Sequence, residues 1–480
     1  MEIDASSIEK MVRQVIGELD TEKLAQAEEE KQQKGNYGIF DSMDDAVNAA
    51  DIAQREYMTR SMKERESYVD AIRKVVVKKE NLNLISRLAV EETGMGNYQH
   101  KIIKNRLAAE KTPGTEDLRT DALTGDDGLT LVEYCPFGVI GSITPATNPT
   151  ETIICNSIGM LAGGNTVVFS PHPRAKNVTL KLITMINKAL EAAGAPANLI
   201  TTVKEPSIDN TNIIMKHPKI RMLVATGGPG IVKLVMSSGK KAIGAGAGNP
   251  PVVVDETADI PKAAVDIING CSFDNNLPCI AEKEVIAVDS IADSLIENMK
   301  EHGAFEVQDP AVIDQLSTLV RKEGGGPKTS FVGKSAAYIL DQIGIEVDSD
   351  VKVIIMETDR NNPFVMEELM MPILPIVRAK DVDEAINIAL VAERGNRHTA
   401  MMHSKNVDKL TKMAQVLQTT IFVKNAPSYA GIGAGGEGHT TFTIAGPTGE
   451  GLTSARSFCR KRRCVISDEF HIRDFSKELK

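Results

Sequence analysis

Between residues 138 and 238, short and nearly continuous apolar runs alternate with longer stretches whose apolar positions recur at helical spacing. Gly138–Thr144 (GVIGSIT), Thr166–Ser170 (TVVFS), Leu199–Val203 and Arg221–Thr226 (RMLVAT) read as strands, and Glu151–Leu161, Lys176–Ala193 and Ile231–Ser238 as helices. Strands that are apolar along their whole length are covered on both faces. Their alternation with helices makes them parallel, so this region predicts a doubly wound α/β sheet. The glycine-rich stretch Gly244–Gly248 (GAGAG) breaks the pattern, which resumes at strand Pro251–Asp255. Helix Pro261–Asn269, strand Lys283–Val288, helix Ile291–Gly303, strand Lys352–Glu357, helix Val382–Ala392 and strand Thr420–Val423 follow. A change of domain is expected near residues 246–250.

The flanks differ. Residues 41 to 110 carry helical patterning, and Leu129–Tyr134 is a short β-rich stretch. Cys459–Arg463 (CRKRR), followed by CVIS, predicts an edge or arm strand, its positive charge being explained by a solvated face. At the N-terminus, Ile8, Met11, Val12, Val15, Ile16 and Leu19 fall on one face of a helix. The highly polar segment from Asp20 to Gly35 follows it. Such a helix either packs on its own domain or, on a polar tether, docks on a partner. The pattern alone leaves both open.

Composition narrows the class. The 480 residues are 42% hydrophobic and 25% charged, enough to bury large cores. A formal charge of −10 argues against a general nucleic-acid binder. No apolar run reaches the roughly 18 residues that span a bilayer, and the N-terminus has no secretory signal. The six cysteines are too sparse for a disulfide scaffold and fit a reducing, cytoplasmic compartment. Trp is absent and aromatics are 4%, which disfavours base stacking. A soluble enzyme is the expectation.

Three stretches carry elements of nucleotide-binding patterns. Gly433–Gly438 (GAGGEG) matches GxGxxG but precedes a β-branched run rather than a helix. Gly333-Lys334-Ser335 ends like a phosphate-binding loop, yet Lys328 stands at its first glycine position. The better candidate is Thr226-Gly227-Gly228-Pro229, after a buried strand and before a helix, where small residues let a phosphate reach free N–H groups. A tight turn needed only for packing explains it equally well. No histidine or cysteine cluster has metal-ligand spacing, so no metal is expected. Cys279 is the stronger signal: it lies in the polar loop Asn275-Asn276-Leu277-Pro278-Cys279-Ile280, where neighbouring amides can stabilise a thiolate and then an oxyanion. Cys271, at the end of an apolar helix, is expected to pack. Asn148, in Thr144-Pro145-Ala146-Thr147-Asn148-Pro149, offers a second amide at a strand's C-terminal end, or is simply a turn residue.

These residues, with ITPATNPTE (143–151), VATGGPG (224–230), GAGAGNPP (244–251), NNLPCIAEKE (275–284), EELMMPILP (367–375) and GEGHTTFTIAGPTGEG (436–451), make the chain resemble the aldehyde dehydrogenase superfamily over residues 37–475. Within it, the chain is similar to the coenzyme A-acylating aldehyde dehydrogenases of bacterial microcompartments. The resemblance implies an α/β fold with a Rossmann-like NAD-binding domain (37–125 and 136–246), a catalytic domain (247–454) and a β bridging arm (126–135 and 455–480). It also implies a homodimer or homotetramer. Cys279 would be the nucleophile, with Asn148 and the Cys279 N–H holding the oxyanion. NAD would lie against Thr144, Pro145, Ser170, His172, Thr226, Gly227 and Gly228, with Glu368 on the ribose. Residues 1–20, on the linker 21–36, would be a targeting helix for shell or other cargo proteins, placing the enzyme inside a microcompartment, with no membrane or nucleic-acid partner.

Two departures from the family pattern carry chemistry. Hydrolytic members have a glutamate general base in a motif resembling ELGGKSP, where this chain has Gly244-Ala245-Gly246-Ala247-Gly248-Asn249-Pro250. Gly244 stands at the glutamate's place. Without that base water is poorly activated, whereas a thiol needs less help, so coenzyme A becomes the expected acyl acceptor. The missing carboxylate is also expected to remove bulk and charge from the acyl-transfer site. His398 is the one candidate for a substitute base, though a packing histidine would look the same. The second departure is Ser170, where many members have a ribose-binding lysine. NAD is expected, with Arg174 or Lys176 available to a 2′-phosphate. A short aldehyde, propanal or ethanal, is the expected substrate. A hydrolytic enzyme releasing free acid and an inactive cargo protein are the alternatives.

Overall fold

The computed structural model of the chain describes residues 36–472. The N-terminal helix at 8–19, the linker up to residue 35 and the last eight residues of the arm lie outside the described residues. The helical patterning of residues 41–110 resolves into Met43–Tyr57, Met62–Val76, Lys79–Thr93 and Tyr98–Lys111. Their boundaries follow local chemistry. Ser42 accepts a bond from the Asp45 N–H, Ser61 and Glu64 form a reciprocal capping box, and Gly94 closes the third helix in the left-handed conformation. Asn97 caps the fourth by accepting from the N–H groups of Gln99 and His100.

The first sheet has six parallel strands in the order Ile39–Phe40, Ile200–Val203, Thr166–Ser170, Val139–Ile143, Ile220–Thr226, Lys241–Ala245. From Val139–Ile143 the chain steps outward through Thr166–Ser170 to Ile200–Val203. It then returns to place Ile220–Thr226 on the other side of Val139–Ile143. The crevice between those two strand ends is the topological switch point of a doubly wound sheet. Lys241–Ala245 was not expected, because the glycine-rich stretch reads as a break; its residues Ile243, Gly244 and Ala245 are nonetheless buried.

The second sheet has seven parallel strands: Ala304–Glu306, Val353–Glu357, Ile373–Ala379, Glu284–Val288, Pro251–Val254, Thr399–His403, Ile421–Lys424. Ile373–Ala379 and Thr399–His403 add to the strands expected from patterning. Helices Ile260–Ser272, Asp289–Glu301, Val382–Glu393 and Val407–Leu417 cover it. A third, antiparallel sheet joins Asp121–Gly125, Gly128–Pro136 and Cys459–Ser467. Along the last of these strands every residue from Arg460 to Ser467 is exposed. No helix among the described residues is long and apolar enough to cross a membrane.

Candidate active site

The C-terminal ends of Val139–Ile143 and Ile220–Thr226 open into a cavity of about 650 Å³ that reaches across to the second sheet. Thr144, Pro145 and Asn148 line it from the first strand end, Thr226, Gly227 and Gly228 from the second, and Ser170 and His172 from the next strand. Cys279 and Glu368 face them from the other sheet's side. Of the residues singled out from sequence, His398, Gly244, Lys176 and Cys271 are not part of this wall.

The Thr226–Gly228 turn leaves the room that a phosphate would need. Gly228 caps helix Pro229–Met236, and a Cβ there would meet nothing within 4 Å. Two buried polar atoms in the wall have no protein partner, Thr144 Oγ1 and one carboxylate oxygen of Glu368. A buried hydroxyl and carboxylate left this way fit a polar ligand such as a ribose. Beside them Ile208 and Leu234 are 81% and 53% exposed, an apolar flank suited to a flat ring. Ser170 Oγ shares a hydrogen bond with Thr211 Oγ1 at 2.8 Å. Burial and the neighbouring Arg174 charge hold the His172 imidazole below its usual range. Arg174 donates to the Thr93 carbonyl, and Lys176 pairs with Glu205 at 2.9 Å.

Cys279 sits in a loop whose shape is set just upstream. Asp274, Asn275 and Asn276 have φ of 51°, 53° and 65°, three consecutive non-glycine residues in the left-handed region. Asp and Asn tolerate that conformation best, and such runs are held by their surroundings. Lys283 supplies one brace: its Nζ donates to the Asn276 side-chain oxygen at 2.5 Å, the Asn276 carbonyl at 3.1 Å and the Pro278 carbonyl at 3.4 Å. Three acceptors match the three N–H groups of an ammonium. Burial pushes the Cys279 thiol up to about 12, the Glu368 carboxylate adds to the rise, and Lys283 and Lys104 oppose it. Burial also raises Glu368, to about 7. Cys271, as expected, is a fully buried packing residue.

Asn148 caps helix Pro149–Ala162, but not through its side chain. Its Oδ1 accepts from Lys104 Nζ at 2.5 Å. Lys104 and Lys101 are buried with Glu151 and Asp274: Lys104 lies 2.9 Å from Glu151 and 2.5 Å from Asp274, and Lys101 3.0 Å from Asp274. Burial alone would lower Lys104, but the two carboxylates outweigh it and hold the ammonium above its usual range. Burial likewise works against both carboxylates, and the lysines nevertheless keep them below theirs. This balanced quartet was not expected from sequence. A signal existed: Lys101, Lys104 and Ala108 fall at i, i+3 and i+7, placing the lysines on the buried face of their helix.

His398 lies outside the cavity wall but close behind it. A Cβ at Gly248 would be 2.8 Å from the Cys279 carbonyl oxygen and 2.9 Å from His398 Cγ, so Gly248 packs against both. The imidazole is buried, its Nδ1 shares a bond with Thr399 Oγ1 at 2.8 Å, and its Nε2 has no partner. Burial lowers it to about 4, with the Lys283 charge adding, so it is neutral near pH 7. Gly244 does not play the spatial part expected of it. It does not line the cavity, and a Cβ there would sit 2.7 Å from Val232 Cγ1. Ala245, Gly246 and Ala247 form the open wall instead. Among the described residues no group of His, Cys, Asp or Glu could hold a metal.

Comparison with known proteins decides the lineage. The family model "Aldehyde dehydrogenase family" matches residues 20–447. The chain belongs to the aldehyde dehydrogenase family. It is 52% identical over 98% of its length to the whole of a CoA-propanoylating propanal dehydrogenase from Citrobacter freundii. A Rhodopseudomonas palustris propionaldehyde dehydrogenase, solved with bound CoA and an acylated cysteine, superposes with a TM-score of 0.90. It is 66% identical, with 91% of this chain and all of that one covered. A propionaldehyde dehydrogenase of the Clostridium phytofermentans fucose utilisation microcompartment gives a TM-score of 0.89 at 56% identity, again over 91% and 100%. The two parallel sheets found here are thus those of the aldehyde dehydrogenase fold.

Proposed function

We propose that the chain is an NAD-dependent, CoA-acylating dehydrogenase of a short aliphatic aldehyde such as propanal or ethanal. The observation that carries this is the shared wall: Cys279 and Asn148 face one cavity from opposite sheets, at the switch point where the cofactor turn also opens. No carboxylate base stands at position 244.

The residues divide the work as follows. The Cys279 Sγ adds to the aldehyde carbon, and the oxygen is received by Asn148 Nδ2 and the Cys279 N–H as an oxyanion hole. Bound NAD⁺ supplies the hydride acceptor, against Thr144, Pro145, Ser170, His172, Thr226–Gly228 and Glu368. The thiol proton is released as Sγ adds, and loss of a hydride from the oxyanion adduct would leave a thioester on Cys279. The coenzyme A thiol attacks that thioester, Cys279 leaves, and acyl-coenzyme A is released. His398, neutral and with a free Nε2, is suited to take the incoming thiol's proton, provided the segment around Gly248 lets it approach.

The same reading assigns residues 37–125 and 136–246 to cofactor binding, 247–454 to catalysis, and 126–135 with 455–480 to an oligomerisation arm that makes a homodimer or homotetramer. The exposed run Arg460–Ser467 on the third sheet supports the arm. The microcompartment relatives support cargo status, with residues 1–20 docking on shell or cargo proteins. The test is NADH formation from propanal and NAD⁺ with and without coenzyme A. Strict dependence on coenzyme A, with propionyl-coenzyme A as product, is expected. Steady release of propionate without it would overturn thiolysis, and no NADH from ethanal to butanal would leave a cargo protein.

A further inference from the structure

We propose that Lys104 is a positioning residue that sets both donors of the oxyanion hole, by fixing the Asn148 amide and by anchoring the loop that carries Cys279. This rests on the catalytic reading of Cys279 and Asn148 given above. An asparagine amide has an acceptor at one end and a donor at the other, and rotation about its last bond exchanges them. With Oδ1 held 2.5 Å from a buried ammonium, the exchange would set N–H against N–H. Nδ2 is thereby left as the group directed away from Lys104, the orientation an oxyanion needs. The charge also draws electrons toward Oδ1 and makes Nδ2 the better donor.

The same Nζ lies 2.5 Å from Asp274 Oδ2. Asp274 opens the left-handed run that leads to Cys279, and its other oxygen accepts from the Asn97 N–H at 2.7 Å. One cation therefore ties the end of a first-sheet strand to the cysteine loop of the second sheet. Neither Asn148 nor Cys279 touches the other's sheet through hydrogen bonds of its own. Lys101 provides the internal comparison: it is equally buried, lies 3.0 Å from Asp274, and donates to the Thr147 carbonyl rather than to the Asn148 side chain.

The experiment compares K104M, K101M, N148A and the double variant K104M/N148A. The readouts are the pre-steady-state burst of NADH, the KM for propanal and the melting temperature. A burst rate lowered about 10²-fold in K104M with KM little changed is expected, as for loss of an oxyanion donor. K101M removes the same charge from the same cluster and is expected to cost much less. In the N148A background, K104M should slow the burst clearly less than in the wild-type background, keeping only the part exerted through Asp274 and the Cys279 loop. A K101M loss equal to that of K104M would overturn the proposal, as would full multiplication of the K104M and N148A losses. Either outcome would show a purely structural ion cluster. If K104M does not fold, the cycle is run on K104M/D274N against D274N, which removes one charge of each sign. A wild-type chain without any burst would instead fail the catalytic reading itself.

Discussion

Replacing Lys283 by Met tests the electrostatics of the nucleophile. The ammonium is buried against Asn276 and Pro278 in the loop that leads into Cys279, 3.4 Å from the Pro278 carbonyl. Placing the thiolate about 6 Å away at an effective dielectric of about 20 gives an attraction of about 2.8 kcal/mol. That corresponds to about two pKa units. The sign is direct: losing a cation raises a thiol that already titrates at about 12, so less thiolate exists at any working pH. The thiolate fraction falls about a hundredfold, while the more basic thiolate is about eightfold more nucleophilic for a Brønsted slope near 0.45. The net expectation is inactivation by iodoacetamide about tenfold slower in K283M. Loss of activity must be followed, not total labelling, because Cys464 is exposed and will react. Below pH 10 or so both proteins should show log rate rising with unit slope and no plateau. The variant also strips donors from the Asn276 and Pro278 oxygens, at about 1–3 kcal/mol of stability for each group left buried and unpaired. A loosened loop would expose the thiol and speed alkylation, the opposite direction. Inactivation as fast as wild type, or a wild-type plateau near neutral pH, would refute the argument.

Three other perturbations separate the roles of neighbours. H398N should keep the first burst of NADH but lower coenzyme A-dependent turnover about 10²–10³-fold, with acylated enzyme accumulating by intact mass; because the imidazole titrates near 4, no activity loss from its protonation is expected down to about pH 5. G248A puts a methyl 2.8 Å from a backbone oxygen and 2.9 Å from an imidazole carbon, neither a flexible chain end. A stability loss of about 1–3 kcal/mol by thermal melting, together with impaired steady-state thiolysis, is expected. E368Q should speed Cys279 alkylation, since the carboxylate raises the thiol. The advantage should be small below about pH 7, where Glu368 is largely protonated in the wild type, and should grow above it. Equilibrium titration should also show NAD⁺ binding weakened about tenfold, the worth of a charged hydrogen bond.

What the sequence makes legible is whatever repeats or stands next to its own signal. The apolar runs at Thr166–Ser170 and Arg221–Thr226 identify buried parallel strands because nothing polar interrupts them, and the strand ends then locate the cavity without any side-chain detail. Ile373–Ala379 escapes because Pro375 reads against a central strand, yet its flanks pair with Val353–Glu357 and Glu284–Val288 on either side. Lys241–Ala245 escapes because two small residues, Gly244 and Ala245, end it in packed space where bulk is excluded by Val232. Gly244 lies in packed space rather than in the cavity wall, so the expectation that a missing carboxylate there removes bulk from the acyl-transfer site does not hold. A missing side chain tells what chemistry is lost, not which way its Cβ would have pointed.

The deeper omission concerns charge. Lys101, Lys104, Glu151, Asp274 and Lys283 look like ordinary surface residues in sequence, since isolated charges are seldom buried. Each is buried here, and each lies within two contacts of Asn148 or Cys279. Desolvating such ions is costly, and a hydrophobic substitute of similar size is often no less stable. Stability therefore gives no reason to keep five of them around one cavity. The proposed chemistry does: it forms an oxyanion and a thiolate in a site that excludes water, and prealigned positive charge lowers both without solvent reorganising. The opposing carboxylates keep the resting site near neutral, so that the lysines stay in place while the cavity is empty. Cations that stabilise a transient anion can be found in a sequence only when lysines fall on the buried stripe of a helix, as Lys101 and Lys104 do, and that stripe is where they should be sought.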